Sequence, residues 1–319
     1  MFCSIIIPFN KIEKYFDKCL KSLANQSIDK KLYEVILIND NCNFKSSNLL
    51  NKFLNKNKNF ILIYNKQKTI GPGYARNIGI KEAKGKYIYF LDSDDYLTKN
   101  TLLNLYNLTL KKKPDLICND FQVIDKVGNL KKKKRFDLKL LTNTKKKILI
   151  DFFNQSIIPQ VISNLILKKL IKKNKIRFLD GYYEDVYFFF RVLFYSKKKI
   201  IFNKKLYIKH NIEKSIINSL SKRHIIDSFF VYQNCYKFLL KKSRNFEKKI
   251  LQYYFIKSII GQTAVNLMRI RKYKLQKKQK KSYNKLVYKL LMTYFDKFKV
   301  NYIFITKKDK LVRNFITKN

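Results

Sequence analysis

Apolar runs alternate with helix-spaced apolar positions through the first half of the chain. Residues 2–7 form a β-branched apolar run stopped by Pro8, which predicts a buried strand ending in the loop Pro8-Phe9-Asn10. Ile12, Phe16, Leu20 and Leu23 then recur at helical spacing, and residues 33–39 repeat the strand pattern up to Asp40. Leu49, Leu50, Phe53 and Leu54 mark a second helix, and residues 60–64 a third strand. Strand and helix alternating in steps of this length predict an α/β fold with a doubly wound, mainly parallel sheet and right-handed crossovers. A loop with two glycines, Gly71 and Gly73, opens a helix that closes at Gly85, followed by a buried strand at 87–91. Leu102, Leu105, Tyr106 and Leu110 predict another helix, and residues 116–124 another strand. The basic run 131–135 reads as an exposed hairpin or loop. Residues 186–194 are apolar and aromatic and predict a helix with Glu184 and Asp185 in its first turn, while 200–202 and 206–208 read as two short strands ending at Lys209-His210.

From Ser215 the texture changes. Phe229, Phe230, Val231, Tyr236, Phe238 and Leu239, then Leu251, Tyr254, Phe255 and Ile259, then Tyr288, Leu291 and Phe295 alternate with Lys and Arg at helical spacing, with Gly261 as the single glycine and no proline. This predicts a C-terminal helical appendage and a division into residues 1–215 and 216–319.

Composition sharpens the reading at three points. Lys and Arg number 70 against 22 Asp and Glu, a net charge of +48, so the surface attracts anionic partners: membrane lipid, nucleotide phosphates or nucleic acid. Abundant Lys, Asn, Ile, Phe and Tyr with 7 Gly, 4 Pro and no Trp look like the usage of an AT-rich genome, so part of that charge is drift onto solvated faces. Cys3, Cys19, Cys42, Cys118 and Cys235 form no CxxC pair and read as thiols in a reducing compartment. With no signal peptide ahead of Phe2 and no spanning apolar run, the expectation is a cytoplasmic protein, soluble or peripheral.

Against so basic a background, acids clustered at one strand tip are informative. The strand at 87–91 delivers Asp92, Asp94 and Asp95 together. Like charges this close repel, and a site that keeps them ionised needs a strong cation; hard oxygen ligands suit Mg²⁺ or Mn²⁺, which commonly hold substrate phosphates. In open α/β sheets the ligand crevice lies beyond the carboxyl ends of the strands. The bland alternative is a solvated turn with Asp95 or Thr98 capping the next helix. The glycines near 71 can bring backbone N–H groups to a phosphate, with Arg76 adding a forked donor. For Glu184 and Asp185 the bland alternative is stabilisation of a helix N-terminus.

An ordered set of motifs resembles family 2 glycosyltransferases with the GT-A type nucleotide-sugar domain. CSIIIPFNK at residue 3 resembles the family's opening strand and Pro-x-Asn turn, and VILINDN at residue 35 its second strand with an Asp tip. GPGYARNIGIKEAKGKYIYFLDSDDY, residues 71–96, is similar to its most distinctive block; NLILKKLIKKNKIRF and YYEDVYFF resemble the segment leading to the acidic pair of many bacterial members. The resemblance covers about residues 1–216 and leaves the helical tail without a family motif.

The resemblance implies that residues 1–215 are a nucleotide-sugar-binding catalytic domain. Pro8, Asn10, Asp40, Arg76 and Asp94 would bind the nucleotide sugar, Asp40 at the uracil and Asp94 at the ribose. Asp95 would hold the divalent metal, Mn²⁺ or Mg²⁺, with Asp92 beside it and His210 as a further ligand, although an ordinary strand-end histidine is the better reading of His210. Asn39 departs from the family's usual double acid. Asp185 falls at the catalytic base, with Glu184 as its neighbour and rival. The implied reaction is inverting transfer from a UDP-sugar donor to a hydroxyl of a surface-glycan acceptor, a lipooligosaccharide, capsule or lipid-linked oligosaccharide, by an enzyme peripheral at the inner face of the cell membrane. The competing class is a non-catalytic module binding nucleic acid or an anionic membrane surface. The charge supports it, but it gives no reason for the clustered acids, and the absence of a binding motif weighs against nucleic acid.

Overall fold

The computed structural model describes residues 1–12, 15–41, 48–66, 71–124, 130–133, 144–157, 159–210, 220–242 and 245–299. The chain forms two compact units: Met1–Asn143 with Pro159–Asp180 and Phe188–Asn211, and Thr144–Ile158 with Gly181–Tyr187 and Ile212–Asn319. The second unit therefore draws two upstream segments into the helical tail. Ser215, where the sequence pattern changes, lies outside the described residues, as does Cys42; the other four cysteines are buried free thiols.

The first unit is built on one nine-stranded sheet. Its strands are β1 (Cys3–Phe9), β2 (Tyr33–Asn39), β3 (Phe60–Tyr64), β4 (Tyr87–Phe90), β5 (Tyr96–Leu97), β6 (Leu116–Ile124), β7 (Leu130–Lys133), β8 (Asn164–Leu167) and β9 (Lys199–His210). The order is β3-β2-β1-β4-β8-β6-β9-β5, with β7 paired to β6. β3, β2, β1 and β4 are mutually parallel, as the βα alternation predicts, with α1 (Phe16–Ala24), α2 (Asn48–Lys56) and α3 (Pro72–Glu82) among their connections. β8 runs antiparallel to β4 and β6, so the sheet is mixed but mostly parallel. Both faces of β2 and β4 are buried, which explains why they read as continuous apolar runs.

A polar link locks the centre. Glu34 is buried and accepts from the Ser4 hydroxyl at 2.6 Å and from the Lys84 N–H at 2.6 Å. Gly85 passes so near β1 that a Cβ there would sit 2.5 Å from the Cys3 carbonyl carbon and the Ser4 nitrogen. That close approach sets where β4 begins, and so where its acidic tip ends.

The two strands expected at 200–202 and 206–208 are one strand, β9. Its polar middle interrupts the apolar pattern and bulges out of the ladder with β6: from the Asn119↔Phe202 pair to the Phe121↔Tyr207 pair, β9 advances five residues against two. The Ser163 hydroxyl donates to the carbonyls of Asn119 and Asp120 at the bulge. β9 can therefore run on beside the far end of β6 and pair antiparallel with β5. The basic run at 131–135 begins in β7, antiparallel on β6; 134 and 135 lie outside the described residues. α4 (Thr101–Lys112) follows β5, and α6 (Lys168–Lys173) follows β8.

The second unit contains α5 (Lys145–Phe153), the first turn of α7 (Glu184–Tyr195), α8 (Lys222–Leu240), α9 (Asn245–Lys272) and α10 (Lys277–Phe298). The tail is helical as expected, and its aromatic stripes are buried among themselves: Tyr236 stacks on Phe255 at 4.4 Å, and Tyr294 meets Phe255 edge-on at 5.6 Å. α5 has no sustained periodicity in the sequence, and it is fixed by packing, with Phe152 against Tyr232 at 5.7 Å. Ile226, Phe230, Tyr253 and Met268 remain exposed. Among the described residues, no helix is long and apolar enough to cross a membrane.

Candidate functional site

At the tip of β4 the chain turns tightly, with the Asp95 N–H donating to the Asp92 carbonyl at 3.1 Å. This turn gathers Asp92, Asp94 and Asp95, and one carboxylate oxygen of each lies within 4.8 Å of the others. Asp95 is 1% exposed, and both its oxygens are held by β9. The Tyr207 hydroxyl donates to Oδ2 at 2.5 Å and the His210 N–H to Oδ1 at 2.8 Å. Asp92 and Asp94 are half-buried. Asp92 accepts from the Arg76 guanidinium at 2.9 Å and lies 3.9 Å from the Lys209 ammonium. Arg76 is itself buried, brought to the site by α3, its guanidinium 5.5 Å from the centre of the Phe178 ring.

The electrostatics follow from this packing. Burial pushes the Asp95 carboxyl well up; Lys209 opposes the shift, Asp92 and Asp94 add to it, and the Tyr207 hydrogen bond draws it back. Burial, and then Asp95, drive the Tyr207 hydroxyl well up, so it stays a proton donor. The His210 imidazole is pushed down by burial, against the opposing effect of its hydrogen bond to the Asp94 backbone. Its Nδ1 lies 2.5 Å from the Asp94 carbonyl, an acceptor, so Nδ1 carries the proton and Nε2 the lone pair. Tyr15 stacks on the ring at 3.9 Å.

Three converging carboxylates offer an all-oxygen donor set, the chemistry that Mg²⁺ or Mn²⁺ requires. His210, considered from sequence as a further ligand, is not part of this group among the described residues.

The remaining sequence candidates fall into two places. Asp40 is buried at the end of β2 and ties three elements together: its N–H donates to the Phe9 carbonyl at 2.8 Å, and its carboxylate accepts from Asn65 Nδ2 and the Gly71 N–H, each at 2.7 Å. Pro8 pairs in register with Ile38, and Asn10 is exposed directly after β1. These residues share the first unit with the acid cluster. Glu184 and Asp185, both half-buried in the first turn of α7, belong to the second unit. Sequence reasoning missed Tyr207, Lys209 and Tyr15. The only trace of the first two was an apolar strand pattern ending beside His210.

The model of glycosyl transferase family 2 matches residues 4–173, more than half of the chain. The chain belongs to this family. An uncharacterized glycosyltransferase of Haemophilus influenzae is 30% identical to this family member over 231 residues, 72% of this chain and 86% of that protein. A poly(ribitol-phosphate) beta-glucosyltransferase of Bacillus spizizenii is 38% identical over 125 residues, 39% of this chain but only 20% of that protein. The crystal structure of S. aureus TarS residues 1–349 in complex with UDP-GlcNAc superposes with a TM-score of 0.72 at 20% identity, over 93% of this chain and 83% of that one. The fold is thus the GT-A type, with the helical C-terminal region included.

Proposed function

We propose that this protein transfers a sugar from a UDP-sugar to a hydroxyl group of a surface-glycan acceptor, with inversion and with a divalent cation, Mn²⁺ or Mg²⁺. The observation that carries the proposal is the acid cluster: three carboxylates converge in a basic protein, one fully buried and clamped by Tyr207 and His210, beside a buried arginine. The relatives' names support the donor and acceptor class. TarS was crystallised with UDP-GlcNAc, and the Bacillus relative is named for glucosyl transfer to poly(ribitol phosphate).

In this reading Asp92, Asp94 and Asp95 hold the cation, which when bound supplies Lewis-acid stabilisation of the charge that accumulates on the departing diphosphate. Arg76 and Lys209 balance the acid cluster and add positive charge for the nucleotide phosphates. Asp40 reads the uracil, Asp94 also faces the ribose, and Pro8 and Asn10 shape the nucleoside edge. Asp185 takes the proton of the acceptor hydroxyl as that oxygen attacks the anomeric carbon, with Glu184 as the rival for this role. The exposed lysines and aromatic residues of the helical unit suit peripheral contact with an anionic membrane face.

Titration of UDP with and without Mn²⁺, repeated on Asp95→Ala, tests the reading. Metal-dependent binding is expected in the wild type, lost in a folded Asp95→Ala protein. Mn²⁺-stimulated affinity that survives in the folded variant refutes the metal assignment, and UDP binding indifferent to metal in the wild type favours a non-catalytic anion-binding module. A screen of UDP-sugars for slow donor hydrolysis then identifies the sugar without knowledge of the acceptor.

A further inference from the structure

The three residues ahead of Glu184 have a backbone that needs support. Gly181 has φ 108° and Tyr183 φ 63°, the latter a conformation that a bulky side chain adopts at a cost unless its surroundings impose it. Tyr182 and Tyr183 are each gripped by a C-terminal helix of the same unit, and Gly181 passes close to one of the gripping groups. The Tyr182 N–H donates to Asp227 Oδ2 on α8 at 2.9 Å, and a Cβ at position 181 would lie 2.8 Å from that same oxygen. The Tyr182 ring stacks on His224, also on α8, at 3.6 Å and 13° between planes. The Tyr183 hydroxyl accepts a hydrogen bond from Arg269 on α9, whose guanidinium lies over the Tyr183 ring.

The gripping groups on α8 are themselves fixed. Ser221 caps α8 and locks His224, its N–H donating to His224 Nδ1 at 3.1 Å while the His224 N–H donates to the Ser221 hydroxyl at 3.3 Å. Nδ1 therefore accepts, and the ring is held face-on to Tyr182. Arg223 lies 3.4 Å from Asp227 Oδ2, opposing any swing of the carboxylate. A stretch that served only to connect would not need a carboxylate, a locked imidazole and a guanidinium from two helices to hold two adjacent residues.

We infer that Asp227, His224 and Arg269 are positioning residues for the acidic pair Glu184-Asp185, and that the helical tail, which lacks any family motif, fixes the approach to the start of α7. The inference rests on the proposed role of Asp185 as base. Misplacing a reacting group by about 1 Å can lower the rate on the order of 100-fold without touching distant binding contacts. The tail thus acts on turnover, through residues 181–183, rather than on donor affinity.

The test uses the full chain, with sugar transfer, UDP affinity and thermal unfolding measured on Asp227→Ala, Tyr182→Ala, Tyr182→Phe and Asp185→Asn, and on Asp227→Ala combined with Asp185→Asn. Asp227→Ala and Tyr182→Ala are expected to lower kcat roughly 10- to 100-fold with UDP affinity unchanged. Tyr182→Phe, which keeps the ring on His224, recovers most of the rate. In the Asp185→Asn background Asp227→Ala should cost little more, because both act through one carboxylate. Wild-type kcat in folded Asp227→Ala and Tyr182→Ala proteins, beside an inactive Asp185→Asn, overturns the inference and leaves the base assignment standing; additive losses in the combined variant overturn it equally. An active Asp185→Asn protein removes the base assignment itself and the inference with it. Should Asp227→Ala fail to fold, the comparison of Tyr182→Ala with Tyr182→Phe decides.

Discussion

Tyr207→Phe isolates the clamp on Asp95 with the loss of one oxygen atom. The hydroxyl is fully buried, donates to Asp95 Oδ2 at 2.5 Å and accepts from the Asp92 N–H at 3.3 Å. Leaving a buried acceptor without its donor costs about 1–3 kcal/mol. The second contact adds less, because Asp92 is half-buried and water can replace the lost acceptor. In the metal-free protein the variant should therefore lose roughly 2–3 kcal/mol. At about 2–4 °C per kcal/mol for a unit of this size, melting should fall by roughly 4–12 °C. The cation-loaded state should suffer as well: Asp95 keeps only the His210 N–H and can rotate, and removal of such outer partners typically weakens metal binding about 10- to 100-fold. Calorimetric titration of UDP with and without Mn²⁺ separates the two effects. The weakening should appear only with metal, and saturating Mn²⁺ should recover part of it by mass action. A folded Tyr207→Phe protein with wild-type metal-dependent UDP affinity refutes the argument that this clamp shapes the site.

The acidic pair is tested by Asp185→Asn and Glu184→Gln assayed together: transfer should fall about 10²- to 10⁴-fold in the first with donor affinity retained, whereas a helix-capping role predicts a loss of only about 0.3–1 kcal/mol of stability with turnover intact. Loss in Glu184→Gln instead moves the base by one residue. Gly85→Ala places a methyl group 2.5 Å from the backbone of β1, where no flexible side chain can yield, and should lower stability by about 1–3 kcal/mol; an unchanged melting curve contradicts the close-packing account. Replacing the exposed Lys277, Lys278 and Lys281 of α10 with Gln should weaken binding to anionic vesicles, each charge counting for about 1 kcal/mol at low salt and less as salt rises. Vesicle flotation unaffected by the triple change, or by salt, removes the membrane contact.

The acid cluster and the parallel strands were legible because their causes are local. An apolar β-branched run reports burial on both faces, its last residue reports where the strand tip lies, and acids at a tip in a chain this basic have no compositional explanation. Leu116–Ile124 appeared as a strand from sequence for the same reason, and Glu184 and Asp185 as the opening of a helix. The support of those residues was not legible, because it comes from partners selected by the order of strands and the docking of helices. Tyr207 and His210 reach Asp95 across 112 and 115 residues, and only after the bulge at Asn119/Phe121 lets β9 continue through a polar stretch that reads as a break. Residues 181–187 fall, by sequence pattern, within the first 215 residues, yet they belong to the helical unit, whose Asp227 and Arg269 hold Tyr182 and Tyr183. Periodicity records which side of an element meets water; it carries no label for the element it meets. The sequence by itself therefore determined the chemistry gathered at one strand tip, while tertiary structure decided which side chains hold that chemistry in place.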